Sequence, residues 1–202
     1  MVERFLREVK LKVLIDLINQ QKVIPALRNP EDFREVLNIP SVKIMFLLFG
    51  DINSLGDYLK HARASGKKLI VHFDLIEGLG KDEAAVKYLV KAGVEGIITT
   101  KTSIARQAKK EGIVAIQRLF IIDSEAVRSG LKQLAESKPH GVEILPATVP
   151  AKIVREIKET SRLPVIGGGL IQGEDDLKEA LSKGFSAIST NKTALWFLNT
   201  VL

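Results

Sequence analysis

Eight short apolar runs, with helix-like patterns between them, constrain this chain more than any other feature. They are VIPALR from Val23, KIMFLLFG from Lys43, KKLIVHFDL from Lys67, EGIITTK from Glu95, IVAIQRLFII from Ile113, GVEILPA from Gly141, PVIGGGL from Pro164 and FSAISTN from Phe185. Most are continuous rather than alternating, the pattern of parallel strands buried on both faces. Leu55, Tyr58, Leu59 and Ala62 follow helical spacing, opened by Ser54 with Asp57 three residues on, a capping-box arrangement. Asp123 is an expected N-cap, and Pro150 falls in an expected first turn. Gly66, Gly93, Gly112 and Gly184 stand where helices should stop. Strands alternating with helices eight times over predict a closed (β/α)8 barrel with short loops, ahead of an open doubly wound sheet.

The 202 residues suit a single barrel domain, expected over 1–202. An extra helix over about residues 2–20 precedes the first strand and is expected to cover the barrel floor, ahead of a role as an oligomer contact. Its charges interrupt the apolar positions, so it is not a signal peptide, and no apolar stretch reaches transmembrane length. Cysteine is absent, which excludes disulfides and thiolate chemistry. A cytoplasmic protein with no membrane association is expected. A net charge of +6 admits an acidic partner without demanding one.

In this fold the site forms at the C-terminal strand ends, and alternate residues point inward. The seventh run ends in Gly167, Gly168 and Gly169, and the eighth in Ser189, Thr190 and Asn191. Loops after strands seven and eight frequently hold phosphate, so Gly167, Gly168, Gly169, Thr190 and Asn191 form the expected phosphate site. Thr190 and Asn191 are also able to cap the helix that follows. Arg28 offers a guanidinium fork to phosphate or carboxylate, or else a salt bridge. His72 and Asp74 share one face of the third run, as a hydrogen-bonded pair or, less favoured, metal ligands. Glu77 lies in the next loop, and Lys101 stands at a helix start where it either neutralises a phosphate or is simply exposed. Gln117 and Arg118 point in opposite directions, so one of them faces the lumen. Glu143, in an apolar run, needs a partner such as Arg118 or Arg28. His61 and His140 read as solvated. No nucleophile–base pair stands out, so no catalytic residue, metal or cofactor is expected. An isomerase or aldolase acting on a small phosphorylated polyol or sugar remains the alternative, built from His72, Asp74, Glu143 and Lys101.

The segments IPALRN, VHFDLIEGLGKDE, GIITTK, AIQRLFIIDS, KPHGVEILPATVP, PVIGGGLI and AISTNKTALW, in that order from about Val23 to Trp196, resemble the glycerol uptake operon antiterminator family. The resemblance implies a regulator rather than an enzyme. It implies glycerol 3-phosphate as the ligand and leader RNA of glycerol-utilisation operons as a partner. The N-terminal helix falls outside it. The sequence itself carries no known RNA-binding motif, and its eleven aromatics lie mostly at core positions. Basic stretches occur at Lys60–Lys68, at Lys109 and Lys110, and at Lys152, Arg155, Lys158 and Arg162. Such stretches are commonly solvated helix faces. A homo-oligomer is also compatible with the sequence.

Overall fold

A computed structural model describes residues 2–200. Residues 1, 201 and 202 of the expected domain lie outside the described residues. The chain runs α1 (Val2–Gln20), β1 (Val23–Leu27), α2 (Pro30–Leu37), β2 (Ile44–Leu47), α3 (Leu55–Ala64) and β3 (Lys68–His72). It continues through α4 (Glu83–Lys91), β4 (Gly96–Thr99), α5 (Thr102–Lys110), β5 (Val114–Phe120) and α6 (Ser124–Ser137). It closes with β6 (Gly141–Leu145), α7 (Ala151–Ser161), β7 (Val165–Gly168), α8 (Glu174–Ser182) and β8 (Ala187–Thr190). All eight apolar runs form strands, and they pair in parallel into a closed barrel with β8 returning to β1.

Closure follows from the two-sided burial of the strands. Inward residues Ile24, Ile44, Phe46, Ile70, Ile98, Val114, Ile116, Ile166 and Ala187 fill the lumen. Outward residues such as Val71, Phe73, Leu119, Val142 and Ile144 pack under the helices. Leu14 and Ile18 of α1 join the lumen cluster, so α1 seals the floor as expected. Burying each such side chain stabilises by about 1.5–3 kcal/mol. Gln21 finishes the seal: its amide donates to the carbonyls of Val23 and Ile44 at 2.9 and 2.7 Å. Its oxygen accepts the N–H groups of Lys43 and Ile44 at 2.7 and 2.9 Å.

Three local expectations are corrected. Ser54 makes no side-chain cap, because its own backbone is already helical. Asp51 caps instead, accepting the N–H groups of Asn53 and Ser54 at 2.7 and 3.0 Å. Pro150 sits at the N-cap of α7, one residue ahead of the first turn. The segment after β8 is a 3-10 helix, Thr193–Thr200. Asp123 caps α6 as expected, accepting the N–H of Ala126 at 2.8 Å.

Candidate functional site

The C-terminal mouth holds a cavity of about 270 Å³ between the ends of β5, β6, β7, β8 and β1. That volume is below the range of drug-sized pockets, which is about 300–1,000 Å³, and suits a small metabolite. Its wall includes Arg28, Arg118, Glu143, Ser189, Thr190, Asn191, Lys192 and the loop Gly169–Gln172.

Strand register places the polar floor. Arg118 pairs with Glu143 across β5 and β6, and Gly168 pairs with Ser189 across β7 and β8. Arg118 takes the lumen, and Nε donates to Glu143 Oε2 at 2.6 Å. Ser189 Oγ donates to the other carboxylate oxygen at 2.5 Å. Glu143 is fully buried, with both oxygens engaged. Its partner is therefore Arg118, and Arg28 is exposed at the rim. Gln117 points the other way and donates to Thr100 O at 2.9 Å.

His72 also faces inward and is 2% exposed. Among the described residues neither ring nitrogen finds a hydrogen-bond partner. Burial, reinforced by the nearby Arg118 charge, pushes its pKa down to about 4, so the imidazole is neutral. The expected pairing with Asp74 is absent. The strand ends at His72, and a 3-10 turn over Phe73–Leu75 swings Asp74 towards β4. There its carboxylate accepts the Thr100 N–H at 2.7 Å and the Thr99 and Thr100 hydroxyls at 3.1 Å each. These bonds tie the end of β3 to the end of β4. Among the described residues no cluster of three metal-ligating side chains occurs.

The three glycines serve three different ends. Gly167 points outward: an added Cβ would lie 2.9 Å from Ile188 Cδ1 and 3.0 Å from Ala147 Cβ. It is a packing glycine and does not face the mouth, because parity alternates along the strand. Gly168 faces the lumen, where an added Cβ would lie 2.7 Å from Ser189 Oγ and 3.0 Å from Glu143 Oε1. Gly169 has φ +75° and starts the loop along the cavity. Leu170, also left-handed at φ 61°, is strained and exposed. Among the described residues no hydrogen bond satisfies the N–H groups of Gly169, Leu170 and Ile171.

Helix N-termini contribute less than the sequence suggested. Asp176 accepts the N–H groups of Gln172 and Gly173 at 2.7 and 3.3 Å, and Glu174 and Asp175 stand beside it. The start of α8 is thus occupied by its own acids. Thr190 Oγ1 accepts the Lys192 N–H at 3.1 Å, a tight turn before the 3-10 helix, not a cap of it. Asn191 is exposed on the cavity wall. Arg28 and Lys192 form no ion pair among the described residues.

Four expected ligand residues stand outside the wall of this cavity: His72, Asp74, Glu77 and Lys101. Glu77 is pinned by its backbone to the loop after β2: its N–H donates to Gly50 O at 2.9 Å and its carbonyl accepts from Ile52. Lys101 is exposed at the start of α5, the plainer of its two readings. His140 is half-buried rather than solvated; Nδ1 accepts the Ala115 N–H at 3.1 Å, and burial pushes its pKa down to about 4. His61 is exposed, as expected. Sequence reasoning passed over Ser189, although inward parity two residues from Ala187 marks it. Lys192 and Gln172 also line the wall, and nothing in their local pattern announces it.

A family described as "Glycerol-3-phosphate responsive antiterminator" matches residues 23–196. The chain belongs to that family. The crystal structure of a glycerol uptake operon antiterminator regulatory protein from Listeria monocytogenes is 33% identical, with a TM-score of 0.82 over 87% of this chain and 95% of that one. A glycerol uptake operon antiterminator-related protein from Thermotoga maritima is 37% identical, with a TM-score of 0.77 over 87% of this chain and 98% of that one. The uncharacterized protein YgcP of Escherichia coli is 34% identical over 186 residues, 92% of this chain and 96% of its own. A deoxyribose phosphate aldolase from Aeropyrum pernix also aligns, at 14% identity and a TM-score of 0.64 over 92% of this chain and 91% of that one, which shows the fold alone. The helix α1 lies outside the family match.

Proposed function

We propose that this antiterminator-family barrel senses glycerol 3-phosphate at its C-terminal mouth and regulates transcription through leader RNA of glycerol-utilisation operons. The observation that carries the ligand half is the pairing of two features in one small cavity. The N–H groups of Gly169–Ile171, without a partner among the described residues, belong to the same cavity lining as the cations Arg28 and Lys192, which suits a phosphate dianion. The polar floor of Arg118, Glu143 and Ser189 lies deeper and suits hydroxyl groups.

The same floor favours a sensor over an enzyme. Glu143 is held by two hydrogen bonds, so it is a poor general base, and Asp74 is similarly engaged. His72 is neutral but buried, and it lies outside the cavity wall. The sensor works with no cofactor and no metal, in the cytoplasm, where its metabolite and its RNA both occur. No helix among the described residues is long and apolar enough to cross a membrane.

A thermal-shift screen of phosphorylated C3 to C5 metabolites tests the ligand, repeated with leader RNA present. Glycerol 3-phosphate should raise the melting temperature, and each ligand should raise the affinity for the other by one common factor. Turnover of a phosphorylated substrate, with RNA affinity indifferent to glycerol 3-phosphate, would overturn this reading in favour of an enzyme.

A further inference from the structure

The barrel is electrically polar along its axis. Helices α2, α3, α4, α6 and α8 all carry acids in their first turns, at the mouth end, culminating in Glu174-Asp175-Asp176. Basic residues occupy the last turns of α2, α3, α4, α5 and α7, at the floor end. Helix dipoles account for the sorting in general. They do not account for one further detail.

Six of the helices are followed by a residue with positive φ. After α3, α4, α5 and α8 that residue is glycine: Gly66, Gly93, Gly112 and Gly184. After the adjacent helices α6 and α7 it is Lys138, at φ 47°, and Arg162, at φ 57°. Glycine adopts this conformation freely and other residues do so at a cost. All six ends present the same dipole, so the dipole does not explain why two of them carry cations in a conformation that favours glycine.

Those two cations flank adjoining depressions of about 390 and 400 Å³ that share Leu163. Lys109 and Lys138 line the first, and Lys158 and Arg162 the second. Lys109 and Lys158 each spend one donor on a helix-end carbonyl, at 2.6 Å to Lys138 O and 3.1 Å to Gly184 O. An ammonium has three donors, so two remain on each. Among the described residues no carboxylate pairs with any of the four. Ser161 and Asn19 add polar groups to the walls.

We propose that this floor-side groove across the ends of α6 and α7 binds the phosphodiester backbone of RNA, at the opposite end of the barrel from the metabolite mouth. The inference rests on the RNA half of the proposed function and adds the surface. The acidic first turns repel a polyanion from the mouth rim, and the four cations attract it to the floor. Among the described residues none of the large exposed apolar side chains lies on α6, on α7 or at their C-terminal ends, and those of the floor helix α1 are the two valines Val9 and Val13, with no exposed aromatic among them to anchor a membrane face.

The test exploits the backbone. Lys138→Gly/Arg162→Gly removes both charges while supplying the residue that the conformation favours, so the melting temperature should stay level or rise. Affinity for fluorescently labelled poly(U) RNA, read by anisotropy, should fall about tenfold or more. Its log–log salt dependence should become shallower by about 1.4, since each phosphate contact on a single strand contributes about 0.7. Lys138→Asn/Arg162→Asn, which also tolerates the left-handed region, guards against misfolding of the glycine variant. Lys87→Ala/Lys178→Ala removes equal charge from α4 and α8 and should bind as the parent does. Unchanged affinity and slope in the double glycine variant would overturn this surface while leaving RNA binding intact. A parent protein that ignores RNA would overturn the RNA half of the proposed function as well, and preference for anionic lipid vesicles over RNA would overturn the choice of partner.

Discussion

Replacing Gly168 with alanine adds one methyl group at the most crowded polar point of the mouth. The new Cβ would stand 2.7 Å from Ser189 Oγ and 3.0 Å from Glu143 Oε1. Neither neighbour retreats freely. Ser189 is bonded to Glu143 at 2.5 Å, and Glu143 to Arg118 at 2.6 Å. If the cluster holds still, overpacking costs about 1–3 kcal/mol. If Ser189 rotates away, a hydrogen bond to a charged group is lost, at about 1.5–3 kcal/mol. The smaller unfolded-state entropy of alanine returns about 0.4–1 kcal/mol, since φ at Gly168 is not in the left-handed region. The net loss is about 0.5–2.5 kcal/mol. For a chain of this size each kcal/mol moves the melting temperature by about 2–4 °C, so calorimetry should record a fall of about 1–10 °C. Glycerol 3-phosphate should also stabilise the variant less than the parent, because the disturbed floor belongs to the cavity. The decisive step is a cycle with Ser189→Ala. Removing Oγ removes the nearest obstacle, so Gly168→Ala should cost less in that background than alone. Equal cost in both backgrounds, or no cost in the first, would refute the argument that Gly168 is small for the sake of this cluster.

Acid should destabilise the protein through two histidines. His72 and His140 both have folded pKa values lowered to about 4 from 6.5, so their contribution is complete above pH 6.5 and is lost as pH falls through 4. The loss is about 3 kcal/mol apiece at most, and His140→Gln should remove roughly one share of the slope in urea melts taken across that window. Leu170→Gly should stabilise the ligand-free protein by about 1 kcal/mol, by relieving the left-handed leucine in the cavity loop; a lower melting temperature would show that the exposed side chain matters more than the backbone. Glu143→Ala leaves Arg118 nearly buried without its carboxylate and should cost about 3–5 kcal/mol. Inorganic phosphate should recover more stability in that variant than in the parent, and equal recovery would show that anions do not reach Arg118.

The strands were legible because parallel strands buried on both faces have no reason to alternate. Every apolar run therefore stood out against its polar neighbours, and the short, even loops favoured closure over an open doubly wound sheet, as the barrel bears out. The helices were less evenly legible. Pro30–Leu37 passed unread, since eight residues hold barely two turns, yet Asn29 caps it and Pro30 opens it. Ser54 lost its cap to Asp51, three residues earlier, because the chain turns into the helix sooner than the apolar spacing begins. His140 was misread because a ring in a turn is ordinarily wet; here the strand pairing folds it back onto Ala115.

At the mouth, legibility ended where the strands end. Parity along β5, β6 and β8 brings Arg118, Glu143 and Ser189 together, and two of these three were anticipated. The same parity separates Gly167 from Gly168, so a triplet that looks uniform in sequence divides into a packing position, a close approach and a turn. Beyond the last strand residue parity no longer applies. The turn after His72 carries Asp74 to β4, and the Asp51–Glu77 bridge holds Glu77 away from the cavity. Lys101, Lys192 and Gln172 are loop residues of the same kind. One of them is absent from the cavity wall and two are present on it, and only tertiary geometry separates them. Side chains on strands were thus placed by the pleat, whereas those on loops were placed by capping and turn hydrogen bonds that compete locally. That competition also bears on the proposed anion site. Because Asp176 already takes the N–H groups of Gln172 and Gly173, the proposal assigns phosphate to the three N–H groups just before them.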